Sequence, residues 1–157
     1  MMKTFQFEAT QLITRPRGEV FAFFSDAANL EAITPTWLKF VICSPQPITL
    51  RRGTLIDYRL RVHGVPIRWR SLISVWEPPA RFVDEQVRGP YRLWHHEHRF
   101  EEVEGGTNVH DRVRYAPLGG ALINSLFVRR DVERIFAYRA ERLQSVFNSR
   151  TTSRACA

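Results

Sequence analysis

Hydrophobic and polar positions alternate along most of this chain, with helical spacing at two places. Phe5, Phe7 and Ala9, followed by Leu12 and Ile13, read as a first strand over residues 3–14. Pro16 suits the first turn of a helix, where its missing N–H costs nothing, and Val20, Phe21, Phe23 and Phe24 make that helix short and apolar. Ser25 and Asp26 cap a second short helix over Ala27 to Ile33, which Pro35 ends. Strands are then predicted over residues 37–43, 55–62, 67–76, 81–87, 91–103 and 108–115. Proline- and glycine-rich turns separate them, including Glu77-Pro78-Pro79 and the hairpin Glu104-Gly105-Gly106-Thr107. After Pro117-Leu118-Gly119-Gly120 the pattern becomes helical: Leu122, Leu126, Val132, Ile135, Phe136, Leu143, Val146 and Phe147 form one stripe. Residues 148–157 are small and polar and read as a disordered tail, leaving one domain over residues 1–147.

This order predicts an α+β architecture: a seven-stranded, curved antiparallel sheet around a long C-terminal helix, with two short helices after strand one. A twisted sheet of that size bends. One helix cannot fill its concave side, so the pattern implies a cavity lined by alternate residues of each strand.

Composition narrows the setting. The chain has 157 residues, enough for a core that needs no disulfide or metal to hold it. Its net charge is +7, from 23 basic residues of which only Lys3 and Lys39 are lysines. The arginines are scattered, which argues against a specific nucleic-acid surface. The helix arginines Arg129, Arg130, Arg134, Arg139 and Arg142 read as a solvated face with Asp131, Glu133 and Glu141. Cys43 and Cys156 have no metal or redox spacing and fit a reducing, cytoplasmic setting. No apolar run is long enough for membrane insertion. Gly105-Gly106 and Gly119-Gly120 lack phosphate-loop spacing and read as turns.

Two stretches carry a family resemblance. Pro16-Arg17-Gly18-Glu19-Val20-Phe21-Ala22-Phe23-Phe24-Ser25-Asp26, with Asn29-Leu30 and Thr34-Pro35, resembles the helix-pair opening of the START/Bet v 1-like (SRPBCC) superfamily. Trp76-Glu77-Pro78-Pro79, Phe82 to Gln86, Gly89-Pro90-Tyr91, the alternating Trp94, His96, His98 and Phe100, and Gly106-Thr107 with Asp111 resemble a bacterial ligand-binding subgroup in its polyketide cyclase/dehydrase-like branch. The likeness spans residues 3 to 147 and implies the helix-grip fold; it supports the fold better than any activity.

Strand parity selects the candidate site. Trp94, His96, His98 and Phe100 share one face of their strand, opposite a mostly charged face. Parity on the other strands adds Tyr58, Trp69, Asp84, Gln86, Asp111 and Tyr115 to an otherwise apolar concave surface. A few polar groups in an apolar hollow suit a small hydrophobic or aromatic ligand. The histidines and aspartates form a hydrogen-bond network that holds the sheet, orient a ligand, or supply a general base. The sequence therefore reads as a ligand-binding protein, with a polyketide aromatase/cyclase- or dehydratase-like enzyme using His96, His98 and Asp111 as the alternative. No catalytic residue is assigned. His-x-His plus an aspartate gives three ligands where structural zinc wants four, so no metal or cofactor is expected. Trp76 has the opposite parity from Trp69 and reads as a plug at the strand end.

Overall fold

The computed structural model describes the backbone of residues 2–155 and the side chains of residues 2–149. Strand β1 (Phe5–Ile13) leads to α1 (Arg17–Ser25) and α2 (Asn29–Ala32). Strands β2 (Val41–Ile42), β3 (Leu55–Val62), β4 (Val65–Glu77), β5 (Arg81–Arg88), β6 (Tyr91–Val103) and β7 (Gly106–Pro117) follow. The chain ends in α3 (Gly120–Ile123), a π-helical turn (Asn124–Val128) and α4 (Arg129–Ala155). The seven strands form one antiparallel sheet in the order β1-β7-β6-β5-β4-β3-β2, and α4 makes its main backbone approach to β1. This is the helix-grip fold. Among the described residues, no helix is long and apolar enough to cross a membrane.

Four expectations need correction. The second strand is only Val41–Ile42, because Pro35 starts a 3₁₀ turn over Thr36–Leu38 and Lys39 follows with φ 47°, which breaks extended backbone. The apolar stripe of the last helix does not include Leu122 and Leu126, which are 67% and 52% exposed. The π-helical turn lies between that end and α4; its wider winding rotates the faces on either side out of register. Helix continues through residues 148–155, where the pattern reads as a polar tail; residues 156–157 of that tail lie outside the described residues. Finally, Arg139 leaves the solvated row of arginines and turns inward, toward the space between helix and sheet.

Buried side chains form three clusters. Phe21, Phe23 and Phe24 of α1 pack with Phe82, Phe100, Leu143 and Phe147. Ala27, Leu50, Ile56 and Ile73 form a second group, and Val113, Tyr115, Val132 and Phe136 a third. Trp76 joins the first two from the end of β4. It can do so because the ladder to β5 slips: Ile73 pairs with Asp84, but Val75 pairs with Val83. Ser74 is the extra residue of a β-bulge, and a bulge reverses side-chain parity beyond it. Trp76 therefore points inward, with ring centroids 5.2 Å from Phe21 and 5.7 Å from Phe82.

The far end of β7 is pinned by a close approach. A Cβ on Gly106 would collide with the Ile13 carbonyl oxygen, so glycine lets β7 start directly against the end of β1. The convex face carries much of the arginine excess: Arg70 makes two hydrogen bonds to Asp57, and Arg81 bridges Glu77 and Glu97.

Candidate functional site: a cavity with a histidine–aspartate floor

The three clusters leave a cavity of about 380 Å³ between sheet and helix. Its walls include Leu60, Ile67 and Ile73 from the sheet and Val132, Ile135 and Phe136 from α4. Of the nine residues selected by parity, Tyr58, Trp69, Asp84, Trp94, His96 and His98 line it. Three do not. Gln86 spends its side chain on the β5–β6 turn, accepting from the Tyr91 N–H and donating to the Tyr91 carbonyl. Tyr115 is buried under Val132 and Phe136. Asp111 lies behind the two histidines and reaches the cavity only through them.

The floor is set by pairing across β5, β6 and β7. Asp84 lies opposite His96, and Asp111 opposite His98. The short hydrogen bonds run diagonally: His96 Nε2 to Asp111 Oδ1 and His98 Nε2 to Asp84 Oδ2, each 2.8 Å. His98 Nδ1 sits 3.1 Å from the same Asp111 oxygen, at ion-pair distance but off the line of a well-formed hydrogen bond. His96 Nδ1 lies 3.5 Å from Asp84 Oδ2. The two imidazoles are in contact, with centroids 3.7 Å apart, and His98 stacks on Phe82 at 4.2 Å. Both histidines and Asp111 are more than nine-tenths buried.

Burial makes these charges interdependent. Burial alone would raise the Asp111 carboxyl; the hydrogen bond with His96 and the 3.1 Å contact with His98 overcome it and hold the group well below 3.8. Asp84 is likewise pushed up by burial, and the His96 charge and the His98 hydrogen bond bring it below its ordinary value. For His98, burial favours the neutral form, but the Asp111 and Asp84 carboxylates together raise it above 6.5. His96 is driven below 6.5 by burial and by the adjacent His98.

Arg139 completes the balance and lies outside the set that strand parity selects. It lines the cavity, its guanidinium carbon lies 5.7 Å from the Phe24 and Phe136 ring centroids, and its charge helps hold both aspartates ionised. A sequence signal for it exists: Arg139 falls three residues after Phe136 and four before Leu143, on the inward stripe itself. The other helix arginines behave as expected of a surface, Arg129 pairing with Glu133 and Arg134 stacking on Trp37.

A second polar group lies on the opposite wall. The Trp69 indole N–H donates to Ser71 Oγ at 3.1 Å, and the Tyr58 hydroxyl is 2.9 Å from the same oxygen. Burial raises the Tyr58 phenol well above its ordinary range, so it stays neutral. Trp69 meets Trp94 edge to face at 5.3 Å, which gives the cavity an aromatic end.

The fold recurs in solved structures of low sequence similarity. Ginseng major latex-like protein 151 from Panax ginseng is 10% identical, with a TM-score of 0.69 over 92% of this chain and 97% of that one. Ara h 8.0201 is 14% identical, with a TM-score of 0.68 over 94% and 99%. Protein Ms6760 from Mycobacterium smegmatis is 15% identical, with a TM-score of 0.68 over 92% and 91%. These likenesses place the chain among Bet v 1-like folds. No curated protein sequence matches it. Residues 47–147, which span β3 to β7 and most of α4, match a single family description, and the chain belongs to that family, the Domain of unknown function (DUF8410).

Proposed function

We propose that this protein binds a small, largely apolar molecule, with an aromatic portion, between the sheet and α4. One observation carries the reading: a cavity of about 380 Å³ has apolar and aromatic walls and one polar floor. That volume and that distribution of groups suit a drug-sized ligand held by shape and oriented by a few hydrogen bonds. Trp69 and Trp94 would stack against its aromatic part. The floor of Asp84, His96 and His98, with Arg139, would hold its polar end. The fold that this chain shares with ginseng major latex-like protein 151 and Ara h 8.0201 is consistent with the reading. The exposed, unpaired Cys43 supports a reducing, cytosolic setting.

The test is titration of the metal-free protein with 1-anilinonaphthalene-8-sulfonate and with naphthalene, followed by tryptophan fluorescence. Saturable binding at one site is expected, and Ile135→Trp, which fills the cavity from α4, should abolish it. Binding that survives Ile135→Trp in a folded protein would refute the cavity as the site.

A second reading has its own observation. Asp111 holds His96 by Nε2, which leaves His96 Nδ1 as the acceptor beside the cavity. A neutral buried histidine backed by a carboxylate is a general-base arrangement, as an aromatase/cyclase- or dehydratase-like reaction requires. His96→Gln would then abolish turnover of a polyketide-like substrate even at concentrations that saturate the cavity.

A further inference from the structure

Both histidines divide their ring nitrogens in the same way. One nitrogen of each faces Asp111 behind the floor: His96 Nε2 at 2.8 Å and His98 Nδ1 at 3.1 Å. The other nitrogen of each faces Asp84: His98 Nε2 at 2.8 Å and His96 Nδ1 at 3.5 Å. Asp84, His96 and His98 each offer one ligand atom within 4.8 Å of the other two, and all three residues line the cavity. Ligand atoms about 2.1 Å from a shared metal ion sit roughly 3 to 3.5 Å apart, so the 2.8 and 3.5 Å separations need little adjustment. Histidines that bind metal through one nitrogen almost always donate from the other to a carboxylate, a backbone carbonyl or water. Asp111 supplies that carboxylate to both rings at once.

We propose that Asp84, His96 and His98 hold a divalent first-row transition-metal ion at the cavity floor, with Asp111 as the positioning residue behind both histidines. Two imidazoles and one carboxylate suit zinc, iron(II) or cobalt(II) rather than magnesium or calcium. Three protein ligands leave a coordination position open, and here that position faces the cavity. With both histidines neutral, the ion and Arg139 outweigh the charges of Asp84 and Asp111 by one at the floor, while Asp26 and Asp131 also line the cavity and Asp131 contacts His63; the open position on the ion itself takes an oxygen anion. The inference rests on the cavity reading above and narrows it: the ligand is an apolar body carrying a carboxylate, phenolate or enolate. A site of three ligands falls short of structural zinc, and the sequence offers no fourth; the tertiary arrangement makes the missing ligand the guest molecule.

The full chain carrying Cys43→Ser and Cys156→Ser, which removes competing thiols, is freed of metal by chelation and titrated with zinc by calorimetry. One equivalent is expected. Nitrogen NMR of the imidazoles should show zinc displacing the resonances of His96 Nδ1 and His98 Nε2 while His96 Nε2 and His98 Nδ1 keep their protons. Asp84→Asn and His98→Ala should weaken binding on the order of 100-fold or more. Asp111→Asn should weaken it about 10–100-fold with one equivalent still bound. Adding 1-naphthoate to the cobalt(II) form should change its visible spectrum, and naphthalene should not. Absence of stoichiometric zinc, affinity unchanged by His98→Ala, or zinc on other nitrogens would overturn the inference. If the buried variants fail to fold, the NMR of the unaltered floor decides. A metal-free protein that binds naphthalene but never zinc refutes this inference alone; one that binds zinc but no apolar probe refutes the cavity reading.

Discussion

Asp111 stands directly opposite His98 across the β6–β7 ladder, yet its Oδ1 makes its shorter contact, 2.8 Å, with His96 one inward position along β6. One carboxylate therefore serves two rings from behind, and the cavity side of both stays available. Removing it leaves His96 and His98 without the group that fixes their protonation. Breaking a buried charged pair typically costs about 3–5 kcal/mol. Asp111→Ala is expected to lose stability in that range, read as a lower urea midpoint with an unchanged slope.

The four floor groups set how stability of the metal-free protein varies with pH. Asp84 and Asp111 have folded values below 3.8. Their contribution is complete above the unfolded value and is lost as pH falls through the folded ones. His96 is held below 6.5, so acid that protonates the unfolded chain first also destabilises the fold. His98 is held above 6.5: its contribution is complete below 6.5 and is lost as pH rises through the folded value. Melting temperature should therefore peak near 6.5 and decline on both sides. A melting temperature that climbs steadily into mildly alkaline solution would contradict the raised His98.

Arg139 is the cation that offsets this floor from α4. Arg139→Met keeps most of the side chain's bulk and removes its charge, so the carboxyls of Asp84 and Asp111 should rise. The acid limb of the melting curve should shift to higher pH while the alkaline limb changes less. Calorimetry across the acid range would register the shift; an unmoved acid limb would place Arg139 outside the electrostatics of the floor.

The bulge at Ser74 keeps Trp76 in register with Phe82. Deleting Ser74 removes the extra residue and leaves Ile73 opposite Asp84 and Trp76 opposite Phe82 in a regular ladder, so Trp76 keeps pointing inward. The deletion should therefore cost much less than Trp76→Ala, for which about 3 kcal/mol is expected, the lower end of the range for truncating a large aromatic. Urea denaturation of the two variants compares them directly. A deletion variant as destabilised as Trp76→Ala would contradict Ser74 as the extra residue.

Much of this molecule was legible in one dimension. The period-two pattern located β3 and β6 to the residue, because each strand buries one face and parity is unforgiving. The same parity put Trp94, His96, His98 and Asp84 on the inner surface. It failed where a local feature changed the count. The π-helical turn took Leu122 and Leu126 out of the inward stripe, and a left-handed Lys39 shortened β2, while the bulge at Ser74 turned Trp76 inward to the strand-end plug read for it. Gln86 had the right parity but was claimed by the backbone of Tyr91.

The sequence alone determined the architecture, because hydrophobic periodicity states which face of each element must leave water. It also determined the chemical inventory of the floor. Only the tertiary structure decided how that inventory is used. Residues from three neighbouring strands and one helix meet there, and their pairings depend on strand register and on which oxygen faces which ring nitrogen. Those are distances between residues remote along the chain, and no local spacing encodes them.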